Sequence, residues 1–228
     1  MMAFVAAGMT ANAETFVADE GDNTEKKSKV ISDDDNWTMR FDLGINIPVS
    51  VPDGMSFAPF RSWELNWTVF EYNFLPSTSS TAIKAGLGFN WRAYTLRGHD
   101  KLFYKEDGVV KVGPRDQYMD ELSSNIHTTA LTIPVLLKQN FSKKFAVSVG
   151  GQFNWNYYAR VHNYYETGDD EVDVYTKKIG QRKVTVDVLG IVSYGNMGIY
   201  CKWSPMSVLD KNEGPDFKSL AVGIDITL

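Results

Sequence analysis

A single cysteine, Cys201, in 228 residues excludes an intramolecular disulfide framework and any zinc site built on paired thiolates. Long apolar runs are missing too. After residue 13 the longest clear ones, Ile133 to Leu137 and Val188 to Val192, are five residues long, whereas a spanning helix needs ~20, so a helical membrane protein is excluded. Basic residues are not in excess: 23 Lys and Arg face 28 Asp and Glu, a formal net charge of −5, which argues against nucleic-acid binding. Histidine is limited to three residues. With no glycine-rich phosphate loop, His/Cys metal spacing or cofactor fingerprint in the chain, no catalytic, cofactor-binding or metal residue is assigned, and no cofactor is expected.

What is present begins with a leader of two parts. Residues 1–13, MMAFVAAGMTANA, are small and apolar and end in Ala11-Asn12-Ala13, the A-x-A form that a signal peptidase cuts after. The apolar stretch is short and has no Lys or Arg before it, which predicts a signal peptide truncated at its start. Residues 14–35 are too charged and too poor in apolar side chains to pack, and are expected to form a flexible acidic periplasmic segment. Residues 1–35 carry eight acidic and three basic side chains, leaving 20 of each sign over 36–228. The acidity therefore belongs to the leader, and the body is neutral.

Over the body, helical spacing is scarce and period-2 alternation is pervasive. Trp37, Met39, Phe41, Leu43, Ile45 and Ile47 alternate with polar or small residues. Further runs start near Trp63, Ile83, Leu131, Phe145, Val184 and Ile199, and the last is Leu220, Val222, Ile224, Ile226 and Leu228. Eight strands are predicted. Alternation alone does not say which face meets water, but strand length does: runs of ten or so residues match the ~9–11 that a tilted strand needs to cross a bilayer. The polar face agrees, with Gly86, Gly88, Asn90, Gln152, Asn154 and Asn156, and with Arg40, Lys84, Arg92, Lys138, Arg160 and Lys202 set against Asp42, Glu64, Asp187 and Asp225. Charges enclosed in a lumen need such partners.

The connections carry the strongest signal. Pro76 to Ser79, Ser142 to Lys144 and Gly195-Asn196 are tight, whereas residues 51–59, 98–124, 163–182 and 205–216 are long. Short and long connections alternate, as a closed eight-stranded antiparallel up-and-down transmembrane β-barrel over 36–228 with periplasmic termini requires. Aromatic residues fit two interfacial belts: Trp37, Phe41, Phe70 to Phe74, Phe141, Phe145 and Tyr194 at one end, and Trp63, Trp67, Phe89 to Tyr94, Phe153 to Tyr158, Trp203 and Phe217 at the other. Three irregularities are expected: a bulge at Pro134, which cannot donate to a ladder; a bulge where the apolar phase slips at Glu71; and a small hydrophobic plug at Leu189 and Ile191.

The leader, the eight runs, the stretch Tyr200-Cys201-Lys202-Trp203-Ser204-Pro205-Met206 leading to Gly214-Pro215, and the terminal strand Ser219 to Leu228 together resemble the eight-stranded, porin-like outer-membrane β-barrel domains common in Bacteroidota, and more distantly the OmpA-type barrels. The terminal strand resembles an assembly signal, with Leu228 in place of the usual aromatic residue and Ala221 where a polar one is usual. The resemblance implies residence in the Gram-negative outer membrane. It implies as partners the outer-membrane lipid and lipopolysaccharide, the outer-membrane assembly machinery and an unidentified surface ligand, with the barrel a monomer that binds no nucleic acid.

Eight strands enclose a space just wide enough for side chains to fill, so no diffusive pore is expected and function falls to loops 98–124 and 163–182, in envelope-structural or surface-binding roles. The second loop holds five carboxylates; carboxylate oxygens suit Ca²⁺, but the spacing fits no calcium motif, and a solvated loop tip is expected. An outer-leaflet lipid-modifying enzyme would draw on His99, His127 and His162 with Ser123 or Ser124 close to His127 in sequence. No third group that would orient a base is identifiable, and no enzyme is expected. An exported lipocalin-like ligand binder would need an N-terminal Gly-x-Trp, and Gly88-Phe89-Asn90-Trp91 has the wrong spacing and place.

Overall fold

The computed structural model describes residues 37–74 and 80–228; the predicted signal peptide, the acidic segment and the Pro76 to Ser79 turn lie outside them. Alternation becomes eleven strands: β1 Trp37–Val49, β2 Trp63–Asn73, β3 Thr81–Thr95, β4 Lys101–Glu106, β5 Val109–Pro114, β6 Asp120–Asn140, β7 Phe145–Thr167, β8 Asp170–Lys177, β9 Val184–Tyr194, β10 Met197–Ser204 and β11 Lys218–Thr227. Eight of them form a wall in the order β1-β2-β3-β6-β7-β9-β10-β11, and β11 pairs antiparallel with β1 from Arg40↔Thr227 to Val49↔Lys218. Every wall pairing is antiparallel. The sheet is thus a closed eight-stranded up-and-down transmembrane barrel, which leaves no wall edge unpaired.

The faces of the wall show which solvent it suits. Leu43, Ile83, Leu87, Val135, Leu137, Val149, Val188 and Ile199 are exposed, whereas Arg40, Asp42, Glu64, Asn66, Asn90, Gln152, Asn154 and Asp187 are buried. A soluble barrel has the reverse arrangement, so the lipocalin-like alternative fails and the outer face is one that lipid must cover.

One end of the barrel carries Trp37, Leu228 and the turns at Ser142 to Lys144 and Gly195-Asn196. The other carries the long connections, and these are not irregular loops. The predicted loop 98–124 contains the β4–β5 hairpin and the start of β6, and the predicted loop 163–182 contains the end of β7 and all of β8. The missed signal in the first is Asp107-Gly108, a two-residue hairpin turn with both residues at positive φ, the geometry for which an Asp-Gly pair is suited.

Two bulges set which side chains reach the lumen. In β2 the register shifts between Thr68 and Phe70, so one extra residue turns Glu71 inward; this is the bulge expected from the phase slip. In β7 an extra residue, Tyr157, faces the step from Thr129 to Ala130. Beyond it Ala159, Val161 and Asn163 point inward, so Arg160, predicted in the lumen, faces outward with its guanidinium 4.7 Å from the Tyr175 ring centre. The bulge expected at Pro134 is absent: Pro134 pairs in register with Gln152, and toward β3 the ladder lapses opposite Gly86 and Leu87 without a register shift. Skipping ladder bonds accommodates the missing N–H as well as a bulge would.

The interior has two layers. Leu136, Leu189, Ile191, Tyr200 and Ala221 form the small apolar plug expected at Leu189 and Ile191. A larger cluster closes the loop end, with Phe57, Tyr94, Leu96, Phe103, Ile126, Val161, Ile179, Leu209 and Phe217 at its centre. Tyr94 and Phe217, assigned to the outer belt from sequence, are fully buried there. The belt positions Trp37, Phe70, Phe74, Phe141 and Tyr194 at one end and Trp63, Phe153, Trp155, Tyr157 and Trp203 at the other are exposed, as interfacial rings are.

Candidate functional site: a sealed lumen and a projecting sheet

Inward positions of β1, β2, β3, β6, β9, β10 and β11 bring Arg40, Lys84, Arg92, Lys138 and Lys202 together with Asp42, Glu64, Glu71, Asp187 and Asp225. Five charges of each sign share the lumen. Arg40 pairs with Glu71 and, at 3.2 Å, with Asp42; Lys84 Nζ lies 2.6 Å from Glu71. A second group joins Arg92 to Asp187 and, at 3.0 Å, to Glu64, whose other oxygen lies 2.6 Å from Lys202. Neutral side chains bridge the two groups: Asn66 donates to Asp42 at 2.9 Å, Gln152 donates to Asn66 at 3.2 Å, and Asn154 donates to Asp187 at 2.9 Å. Low dielectric strengthens such contacts and makes each unpaired member costly. A vestibule of about 230 Å³ opens at the end bearing Trp37, and a cavity of only about 10 Å³ lies beside Arg92 and Tyr94.

The loop end is built differently. β4 is held over the barrel mouth by one clamp: the Phe103 N–H donates to Ser124 Oγ at 2.8 Å, Asn163 Nδ2 donates to the Phe103 carbonyl at 2.8 Å, and Ser124 Oγ donates to Asn163 Oδ1. Both backbone polar groups of a buried residue are thereby satisfied, as burial demands. Cross-ties hold the other loops, among them Val110 N–H to the Glu213 carbonyl at 2.8 Å and Asp210 N–H to the Gly180 carbonyl at 2.7 Å.

Beyond the mouth β6, β7 and β8 continue as a three-stranded sheet. β8 pairs with β7 from Arg160↔Lys177 to Thr167↔Asp170, and among the described residues its other edge has no strand beside it. That edge strand carries Asp170, Glu171 and Asp173. The Tyr164 phenol near the tip is pushed up to about 12 by desolvation, then by its hydrogen bond to Glu166 and the charges of Glu171 and Glu121, so it remains a protonated donor within an acidic surface. Among the described residues, no group of three or more His, Cys, Asp or Glu side chains converges as a metal site.

The histidines and serines singled out from sequence are dispersed. His99 Nδ1 contacts the Leu122 carbonyl at 2.7 Å. His127 lies on the outer wall, 6.5 Å from Trp63 and 6.1 Å from His162 between ring centres, and His162 meets Asp173 and stacks on Tyr175. Ser124 points into the mouth, on the opposite face of β6 from His127. Ser123 shares the His127 face but sits four residues away, ~13 Å along an extended strand, and its Oγ accepts from Arg61 at 3.0 Å. Neither Ser123 nor Ser124 is within reach of His127 for proton transfer.

A family comparison agrees with this architecture. The family model described as "Outer membrane protein beta-barrel domain" matches residues 65–204. The crystal structure of Ail, the attachment invasion locus protein of Yersinia pestis, is similar at 10% identity and a TM-score of 0.41, over 84% of this chain and 97% of that one. No curated protein matches the sequence.

Proposed function

The chain belongs to the outer membrane protein β-barrel domain family, and from that premise we propose that it is a non-enzymatic, non-conducting surface-binding protein of the outer membrane, with its termini in the periplasm and its loop end outside the cell. The observation that carries the reading is the unpaired edge of β8 at the free end of the projecting sheet. An open edge offers a row of backbone donors and acceptors to an extended segment, and the carboxylates of β8 select a basic one. The filled lumen argues against transport, and the distance between the serines and His127 argues against acyl chemistry. Neighbouring lipopolysaccharide and the outer-membrane assembly machinery are its expected envelope contacts, and the closed wall favours a monomer.

Binding of a synthetic extended peptide of alternating Lys and Val to the detergent-solubilised barrel tests this. Excision of Tyr164 to Tyr175 is expected to abolish binding while the barrel still migrates differently before and after boiling, since β8 pairs with β7 alone. Equal binding by the intact and excised proteins would sink the proposal. An envelope-structural role is the second reading, supported by the cross-tied loops over the mouth.

A further inference from the structure

The wall has a notch beside β7. β7 pairs with β9 as far as Trp155↔Val184 and with β8 only from Arg160↔Lys177, so Tyr157, Tyr158 and Ala159 border a gap that neither strand fills. The connection from β8 to β9 crosses this gap, and its sequence, Lys177-Lys178-Ile179-Gly180-Gln181-Arg182-Lys183, has four basic residues in seven and no acid. The crossing backbone is fixed: Ile179 is fully buried in the apolar cluster, Asn156 donates through its backbone N–H to the Lys183 carbonyl and through Nδ2 to the Arg182 carbonyl, both at 2.8 Å, and Arg182 N–H donates to the Val208 carbonyl at 3.1 Å. A cavity of about 410 Å³ results, lined by Tyr157, Tyr158, Lys177, Lys178 and Lys183, with Glu213 its one carboxylate.

Two observations point to a ligand. None of the three lysines has an ion-pair partner among the described residues, although four of the five luminal cations, Arg40, Lys84, Arg92 and Lys202, are closely paired. The height is also informative: Trp155, Tyr157, Val184 and Val186, all exposed, lie beside and below the cavity on the lipid-facing wall, which puts the lysines at the level of lipid headgroups, where basic side chains attract anionic lipid. We infer that this notch is a headgroup site, in which Lys177, Lys178 and Lys183 hold the phosphate of an anionic lipid and Tyr157 borders its acyl stem. Which leaflet supplies the lipid rests on the orientation proposed above.

The probe is phosphatidic acid in phosphatidylcholine nanodiscs that contain the full barrel, with retained lipid read by native mass spectrometry. The Lys177→Gln/Lys178→Gln/Lys183→Gln protein is expected to lose retained phosphatidic acid by at least about tenfold, and Arg at the same three positions is expected to restore it. Lys111→Gln, an exposed lysine elsewhere, is expected to retain wild-type levels. Equal retention by the triple Gln protein, or an equal loss in Lys111→Gln, would overturn the site, as would displacement of the lipid by millimolar inorganic phosphate, which marks a free-phosphate site. Heat-dependent migration reports folding of each variant. The orientation fails separately, by labelling of a cysteine placed at the β8 tip in intact cells, a measurement blind to lipid retention.

Discussion

Glu71 is held between Arg40 and Lys84 and is 1% exposed; among the described residues it is the one ion-pair partner of Lys84, while Arg40 also meets Asp42 and Asp225. Removing one partner of a buried ion pair leaves an uncompensated charge and costs about 3–5 kcal/mol. Glu71→Gln is therefore expected to lower the urea midpoint of the micelle-bound barrel by an amount of that order, and Glu71→Gln with Lys84→Met to recover part of it. Alternation placed Arg160 in the lumen and left Glu71 out, a tally of six cations against four anions, whereas the folded lumen holds five of each. Both errors arise at one-residue bulges. The slip at Glu71 was readable because an apolar residue changes phase there. The slip at Tyr157 was hidden, because Trp155, Asn156, Tyr157 and Tyr158 are acceptable on either side of an interfacial strand. Charge balance was itself the missing clue.

Among the elements, the eight wall strands and the parity of their connections were legible because lipid and lumen impose strict alternation. β4, β5 and β8 were not, because above the bilayer no such solvent contrast exists and their pattern is weak. The clamp on β4 likewise joins residues 103, 124 and 163, which only the fold brings together. Ser124→Ala removes the acceptor for the buried Phe103 N–H, and an unsatisfied buried donor costs about 1–3 kcal/mol. The expected outcome is faster hydrogen exchange across Lys101–Glu106, read by mass spectrometry, with exchange in β1 and β11 unchanged. Unchanged exchange in β4 would show that the apolar cluster alone holds the strand.

For the molecule as a whole, a lumen with five charges of each sign lies beneath an apolar mouth and is occupied by side chains. Purified protein in planar bilayers is expected to give no stable open channel, and regular unitary currents would contradict the filled interior. The wall strands also differ greatly in length: β7 has 23 residues and β10 has eight. About half of β7 suffices for the membrane crossing, so at ~3.3 Å per residue the remainder reaches some 40 Å along its own direction. On the proposed orientation this mast rises from one side of the rim only and carries the Asp170 end of β8 well clear of the headgroup layer. Encounters at its tip are then governed by what approaches from the medium, and lateral crowding by neighbouring membrane proteins does not screen it.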